Sequence, residues 1–164
     1  MTFNPVAALN VIECKNIISI KGPKAVDLGS QTSSINNIFV KNLLNNNKTL
    51  DNIQKKNLDN LSSSKFFATE DYFKLVGFKE YKSIDINGAY NSLQFDLNKN
   101  ISETYNYKEE YDLVINNGTG EHVFNQYALF LNFHNLTKLN GVMLNILPFI
   151  DWINHGFYNF NPIF

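Results

Sequence analysis

Apolar positions along this 164-residue chain come in short runs divided by polar stretches, and the spacing within each run names the element it predicts. Residues 1–23 carry no clear period and read as a leader segment packed against the rest. Lys24–Leu28 is a short apolar run stopped by Gly29, which predicts a first strand. Ser33 or Ser34 then caps a helix with apolar positions Ile35, Ile38, Phe39 and Leu43 at helical spacing. Leu50, Ile53, Asn57 and Leu61 suggest a weaker helix, closed by the run Ser62–Ser64. Thr69–Gly77 reads as a short helix with a threonine cap, acids in its first turn and a glycine stop. Tyr81–Ile86, Ser92–Leu97 and Tyr111–Asn116 follow as the second, third and fourth strands. Val123–Lys138 is the clearest helix, with Phe124, Tyr127, Leu131 and His134 on one face and Asn140-Gly141 as its stop. Val142–Leu147 is the fifth strand, ended by Pro148. Strands alternating with helices over residues 24–164 predict one α/β domain around a parallel sheet with right-handed crossovers.

Composition narrows the partners. The apolar fraction of 44% and aromatic fraction of 14% suit a globular protein with one real core. Net charge is -1, so neither nucleic acid nor an anionic membrane is an expected partner. All 14 basic residues are lysine, and no guanidinium is available to clamp a phosphate or carboxylate. The 27 asparagines look more like an AT-rich coding bias, which devalues the sequons at Asn47 and Asn135 as glycosylation evidence. Cys14 stands alone, which excludes an internal disulfide and a cysteine-based metal site; it reads as a buried, inert thiol. No signal peptide or membrane span is visible, so a reducing, cytoplasmic setting is expected.

Candidate chemistry gathers where strands end. Asp27-Leu-Gly29 closes the first strand, where glycine lets the backbone approach a ligand and an acid holds a cationic or hydroxyl group. Asp85 closes the second strand, a position from which a carboxylate accepts ribose hydroxyls. Asp96-Leu97-Asn98 closes the third, with groups that can read an adenine amine. Taken alone, Asp27-Leu-Gly29 and Asp85 are more often ordinary turns, and Asp96-Leu97-Asn98 is equally one. Their recurrence at one sheet edge points to a nucleotide-like cofactor lying across the strand ends. The Gly-x-Gly-x-x-Gly fingerprint is absent, which argues against a pyrophosphate-held dinucleotide and a nicotinamide-dependent oxidoreductase. Asn117-Gly-Thr-Gly-Glu121-His122 follows the fourth strand and offers a plausible acid–base pair, or else a polar helix cap. His155 falls after the fifth strand, near the same edge, whereas His134 reads as a core histidine. The histidines lack a spacing such as His-x-x-x-His, and no metal is expected.

The pattern resembles the class I S-adenosylmethionine-dependent methyltransferases. The closer resemblance is to a poorly characterised branch, carried here by Leu28-Gly-Ser-Gln31, Ser83-Ile-Asp85, Asp96-Leu-Asn98, Gly118-Thr-Gly-Glu-His-Val-Phe-Asn125 and His155-Gly-Phe-Tyr-Asn-Phe-Asn-Pro162. It implies a Rossmann-like α/β fold, a mostly parallel sheet with helices on both faces, with about five of the family's usual seven strands present. It implies S-adenosylmethionine as cofactor, its methionine part facing Asp27, Gly29 and Gln31, its ribose Asp85 and its adenine Asp96 with Leu97. Asn117 and Glu121 would line the methyl-donor side, with His122, then His155, as candidate general base. Typical members carry glycines where Gln31 and Ser33 stand. The acceptor expected is a small molecule or a glycan sugar. Asn161-Pro162 reads as a helix start just before the chain ends, and the family's last antiparallel hairpin is missing, so a C-terminally truncated domain is expected. The alternative is a non-catalytic remnant of the same fold that binds the cofactor weakly or not at all.

Overall fold

A computed structural model describes residues 2–45, 68–150 and 154–161. The expected helix over Leu50–Leu61 lies outside the described residues. Strand β1 (Thr2–Phe3) leads into helix α1 (Pro5–Ile17). The start of α1 is set by Asn4, whose side chain accepts from Ala7 N at 3.0 Å, with Pro5 at the first position. Then come β2 (Lys24–Asp27), β3 (Thr32–Ser33), α2 (Asn37–Asn45), α3 (Thr69–Leu75) and β4 (Glu80–Ser83). Helix α4 (Ile101–Thr104), β5 (Tyr111–Asn117), a 3₁₀ turn at Gly120–His122, α5 (Gln126–Asn135) and β6 (Thr137–Ile146) complete the described chain.

The main sheet has the order β4-β2-β5-β6, and all its pairings are parallel. Successive side chains of a strand face opposite ways, and the central strands β2 and β5 are buried on both faces. Ala25, Leu113 and Ile115 join α1, α2 and α3 in one core, around Phe3, Tyr72 and Phe73. Val26, Leu28 and Val114 join Ile101 of α4 and Leu129 and Phe133 of α5 in the other. The protein is therefore an α/β, Rossmann-like fold with mostly parallel sheets flanked by helices. From the central pair β2 and β5, the chain reaches β4 past one face and β6 past the other. Opposite directions by opposite faces are what crossovers of one hand require. The gap between β2 and β5 is therefore the topological switch point, where such sheets bind ligands at their carboxyl edge.

Three expectations need correction. The segment 1–23 is not a featureless leader: it forms β1 and α1, and β1 pairs in parallel with β3. Its apolar residues lie on both sides of α1, with Ala8 and Val11 buried but Val6 and Leu9 exposed, so no period marks the inward face. Ser92–Leu97 does not form a third strand of the sheet. It makes one parallel bridge, Ile84 to Leu93, and is then turned away by Asp96, whose Oδ1 accepts from Asn98 N at 2.9 Å. The strand after α5 begins at Thr137, earlier than Val142, because it absorbs Asn140 (φ 63°) in an irregular register opposite Tyr111–Leu113. Among the described residues, no helix is long and apolar enough to cross a membrane.

Candidate functional site

The two edges of the sheet are polar in different ways. At the amino edge, charges pair with one another: Lys24 Nζ bonds Glu109 at 2.5 Å and Glu80 at 3.2 Å, and Lys82 Nζ bonds the same two acids. At the carboxyl edge, polar groups are buried without partners. Asp27, at the end of β2, is fully buried, and neither carboxylate oxygen has a hydrogen-bond partner among the described residues. Burial pushes its carboxyl well above the ordinary value. Asn117, at the end of β5, is equally buried, and its side-chain oxygen and nitrogen are both unpartnered there. Gln31 donates through Nε2 to the Asn117 carbonyl at 2.7 Å, which leaves its Oε1 unused. Buried polar side chains are satisfied in the great majority of cases, and each unsatisfied one costs on the order of 1–3 kcal/mol.

Beside this cluster a cavity of about 290 Å³ opens at the switch point. Gly29, Ser30 and Gln31 form one wall, Asp85 and Ile86 a second, and Asp96 and Leu97 a third. Gly118, Thr119 and His122 close it from the β5 side. Gly29 is required by proximity: a Cβ there would overlap Thr119 Oγ1. Gly118 adopts φ 66°, the left-handed region that favours glycine, as the chain leaves β5. Asp85 Oδ2 accepts from Ser30 N (3.2 Å) and Ser30 Oγ (2.8 Å), while Oδ1 accepts from Asn87 N at 3.1 Å. A carboxylate has about four acceptor sites, so Asp85 stays open to a further donor. Asp96 is held below the ordinary carboxylate range by the Asn98 side-chain and backbone donors, and its own N–H donates to Tyr105 Oη at 3.0 Å.

Glu121, in the 3₁₀ turn after β5, is completely buried, and neither oxygen accepts a hydrogen bond among the described residues. His122 Nε2 and His155 Nε2 stand 3.9 and 3.7 Å from the same atom, Glu121 Oε1. The segment bearing His155 is fixed through its backbone. Phe157 N donates to Glu121 O at 2.7 Å, and a Cβ at Gly156 would lie 2.6 Å from that oxygen.

Of the ten expected cofactor and catalytic residues, Gly29, Gln31, Asp85, Asp96, Leu97 and His122 line the cavity, while Asp27, Asn117, Glu121 and His155 do not. His134 is not a core residue: its ring is exposed and lies 3.2 Å from the neighbouring Asn135 Oδ1. The face of α5 that carries it also exposes Tyr127, and Ala128, Leu129, Asn132 and Phe133 are buried instead. Thr119, Ile86 and Phe95 line the cavity without having been singled out. Their adjacency to Gly118, Asp85 and Asp96 was the available signal. Comparison with known proteins yields no matching family model, no matching curated protein and no matching solved structure.

Proposed function

We propose that the chain is an S-adenosylmethionine-dependent methyltransferase. The observation that carries the proposal is the set of buried, unpartnered polar atoms on Asp27, Gln31 and Asn117 beside a cavity at the switch point. Three of these groups are acceptors, and Asn117 Nδ2 is the donor. Such a set suits the α-ammonium and carboxylate of a methionine moiety, with Asn117 Nδ2 available to the carboxylate where arginine is lacking. In this reading Asp85 accepts a ribose hydroxyl on its free acceptor site. Asp96, Leu97 and Phe95 enclose the adenine.

The acceptor enters from the side of Glu121, His122 and His155. A lone pair of its oxygen or nitrogen attacks the sulfonium methyl carbon, and the carbon–sulfur pair returns to sulfur, leaving S-adenosylhomocysteine. The acceptor's proton leaves through this cluster, of which exposed His122 borders the cavity. Alignment of nucleophile, methyl and sulfur supplies most of the acceleration, and a positioned base about 10²–10⁴-fold. We assign the acceptor to small molecules or glycan sugars, because net charge -1 gives no footprint for nucleic acid. A cytoplasmic setting belongs to the same reading and rests on the single reduced Cys14.

A thermal-shift comparison tests the cofactor class. S-adenosylhomocysteine at about 100 times its Kd stabilises a site by roughly 2.7 kcal/mol, a rise of about 5–10 °C in Tm for a domain of this size. NAD⁺ at the same concentration is expected to leave Tm unchanged. A shift with NAD⁺ and none with S-adenosylhomocysteine would replace the methyltransferase by an oxidoreductase.

A further inference from the structure

We infer that Glu121, His122 and His155 form a binding site for one divalent transition ion of the zinc class. One ligand atom from each of the three lies within 4.8 Å of the other two. Both imidazole Nε2 atoms approach one carboxylate oxygen, at 3.9 and 3.7 Å. Those separations exceed a hydrogen bond. They come close to the edge of a zinc tetrahedron, ~3.3 Å for metal–ligand bonds of about 2.0–2.2 Å. The arrangement therefore holds three donor atoms around a gap instead of joining them to one another.

Glu121 makes the second, independent case. Its carboxylate is completely buried and has no hydrogen-bond donor among the described residues. A buried carboxylate in that state is costly unless a cation faces it. Among the described residues no lysine is paired with it, and the groups within 4 Å of its Oε1 are the two imidazoles. The site is also built, not incidental. Backbone bonds from Phe157 and Tyr158 to the Glu121 carbonyl clamp the two segments together, and Gly156 leaves room for that contact. The two rings meet edge to face, with centroids 4.8 Å apart and planes at 66°.

Two imidazoles and one carboxylate suit zinc and its first-row neighbours, whereas magnesium and calcium take oxygen ligands almost entirely. Three protein ligands leave a fourth position open, as in catalytic zinc sites. His122 borders the switch-point cavity and, with His155, a second depression outside it, so that position faces the acceptor side. In the methyltransferase reading, a hydroxyl acceptor bound there has its O–H bond weakened. Its proton would leave through the cluster to solvent water, with the bonding pair left on the acceptor oxygen, and His122 would serve as a ligand there. That consequence rests on the proposed function; the binding of the ion does not.

The test is calorimetric titration of the untagged, chelator-stripped 164-residue chain with Zn²⁺, with S-adenosylhomocysteine binding measured separately on the same samples. One equivalent of zinc is expected, bound at micromolar Kd or tighter. His122→Ala, at an exposed position, weakens it roughly tenfold or more, and His155→Ala does the same. His134→Ala, remote from the cluster, leaves it unchanged. Substoichiometric or absent zinc binding by folded chain overturns the inference, as does binding that His122→Ala and His155→Ala leave intact. Loss of S-adenosylhomocysteine binding with zinc binding retained would instead remove the methyltransferase reading and keep the metal site.

Discussion

Asp27 is a residue whose buried, unpaired state burdens the free protein and whose replacement is informative. Its carboxyl is buried with no partner among the described residues, and its pKa is pushed well above the ordinary 3.8. A folded-state pKa above the unfolded one contributes stability below pH 3.8, which is lost as pH rises through the folded value. At neutral pH the group is therefore a burden. Asp27→Asn is expected to stabilise the free protein by about 1–3 kcal/mol, to flatten that pH dependence, and to weaken S-adenosylhomocysteine roughly ten- to hundredfold. Urea denaturation and calorimetry on one preparation check both halves. A variant of lower stability and unaltered affinity would mark Asp27 as a structural group. At this scale the site was legible because acids and glycines closed apolar strands, as Asp27-Leu-Gly29 and Asp85 do. His134 was not, because apolar residues occupy both faces of α5 and spacing alone chose the outward one. The Glu121–His122–His155 cluster was not legible as a donor set, because no short histidine spacing marks it and its members meet only in the fold.

Among the elements, β2, β4 and β5 carry a polar edge at each end, and the two behave oppositely. At the amino edge the Lys24 and Lys82 hydrogen bonds hold Glu109 down to about 2 from an ordinary 4.5. A depressed carboxyl stabilises above pH 4.5, and that stability drains away as pH falls towards 2. Glu109→Gln is expected to cost about 1 kcal/mol at neutral pH, near 3 °C in Tm, and to reduce the acid sensitivity of unfolding. An acid limb identical to that of the parent chain would contradict this. The strands were legible from their apolar runs. The missing third strand was not, since Asp96 and Asn98 turn the chain after a single bridge, and β propensity in Phe95 and Leu97 does not register that turn. Helix α1 was hidden because Val6, Leu9 and Ile17 sit on its exposed side and erase the contrast on which periodicity depends.

Across the whole molecule, the sheet order β4-β2-β5-β6 sets one switch point, and the unpartnered polar groups and the cavity meet there. Paired charges sit at the opposite edge, while the carboxyl edge holds buried polar groups without hydrogen-bond partners among the described residues. The alternation of strands and helices made this topology readable, and the position of Asp85 beyond β4 made its cavity-lining place readable too. Asp85 closes the proposed cofactor site. Calorimetric titration with S-adenosylmethionine, parent chain against Asp85→Ala, tests it most directly. The account predicts micromolar binding at one site, lost in a variant whose circular dichroism matches the parent. A folded parent chain that binds no S-adenosylmethionine, or an Asp85→Ala variant that binds it equally well, would contradict it.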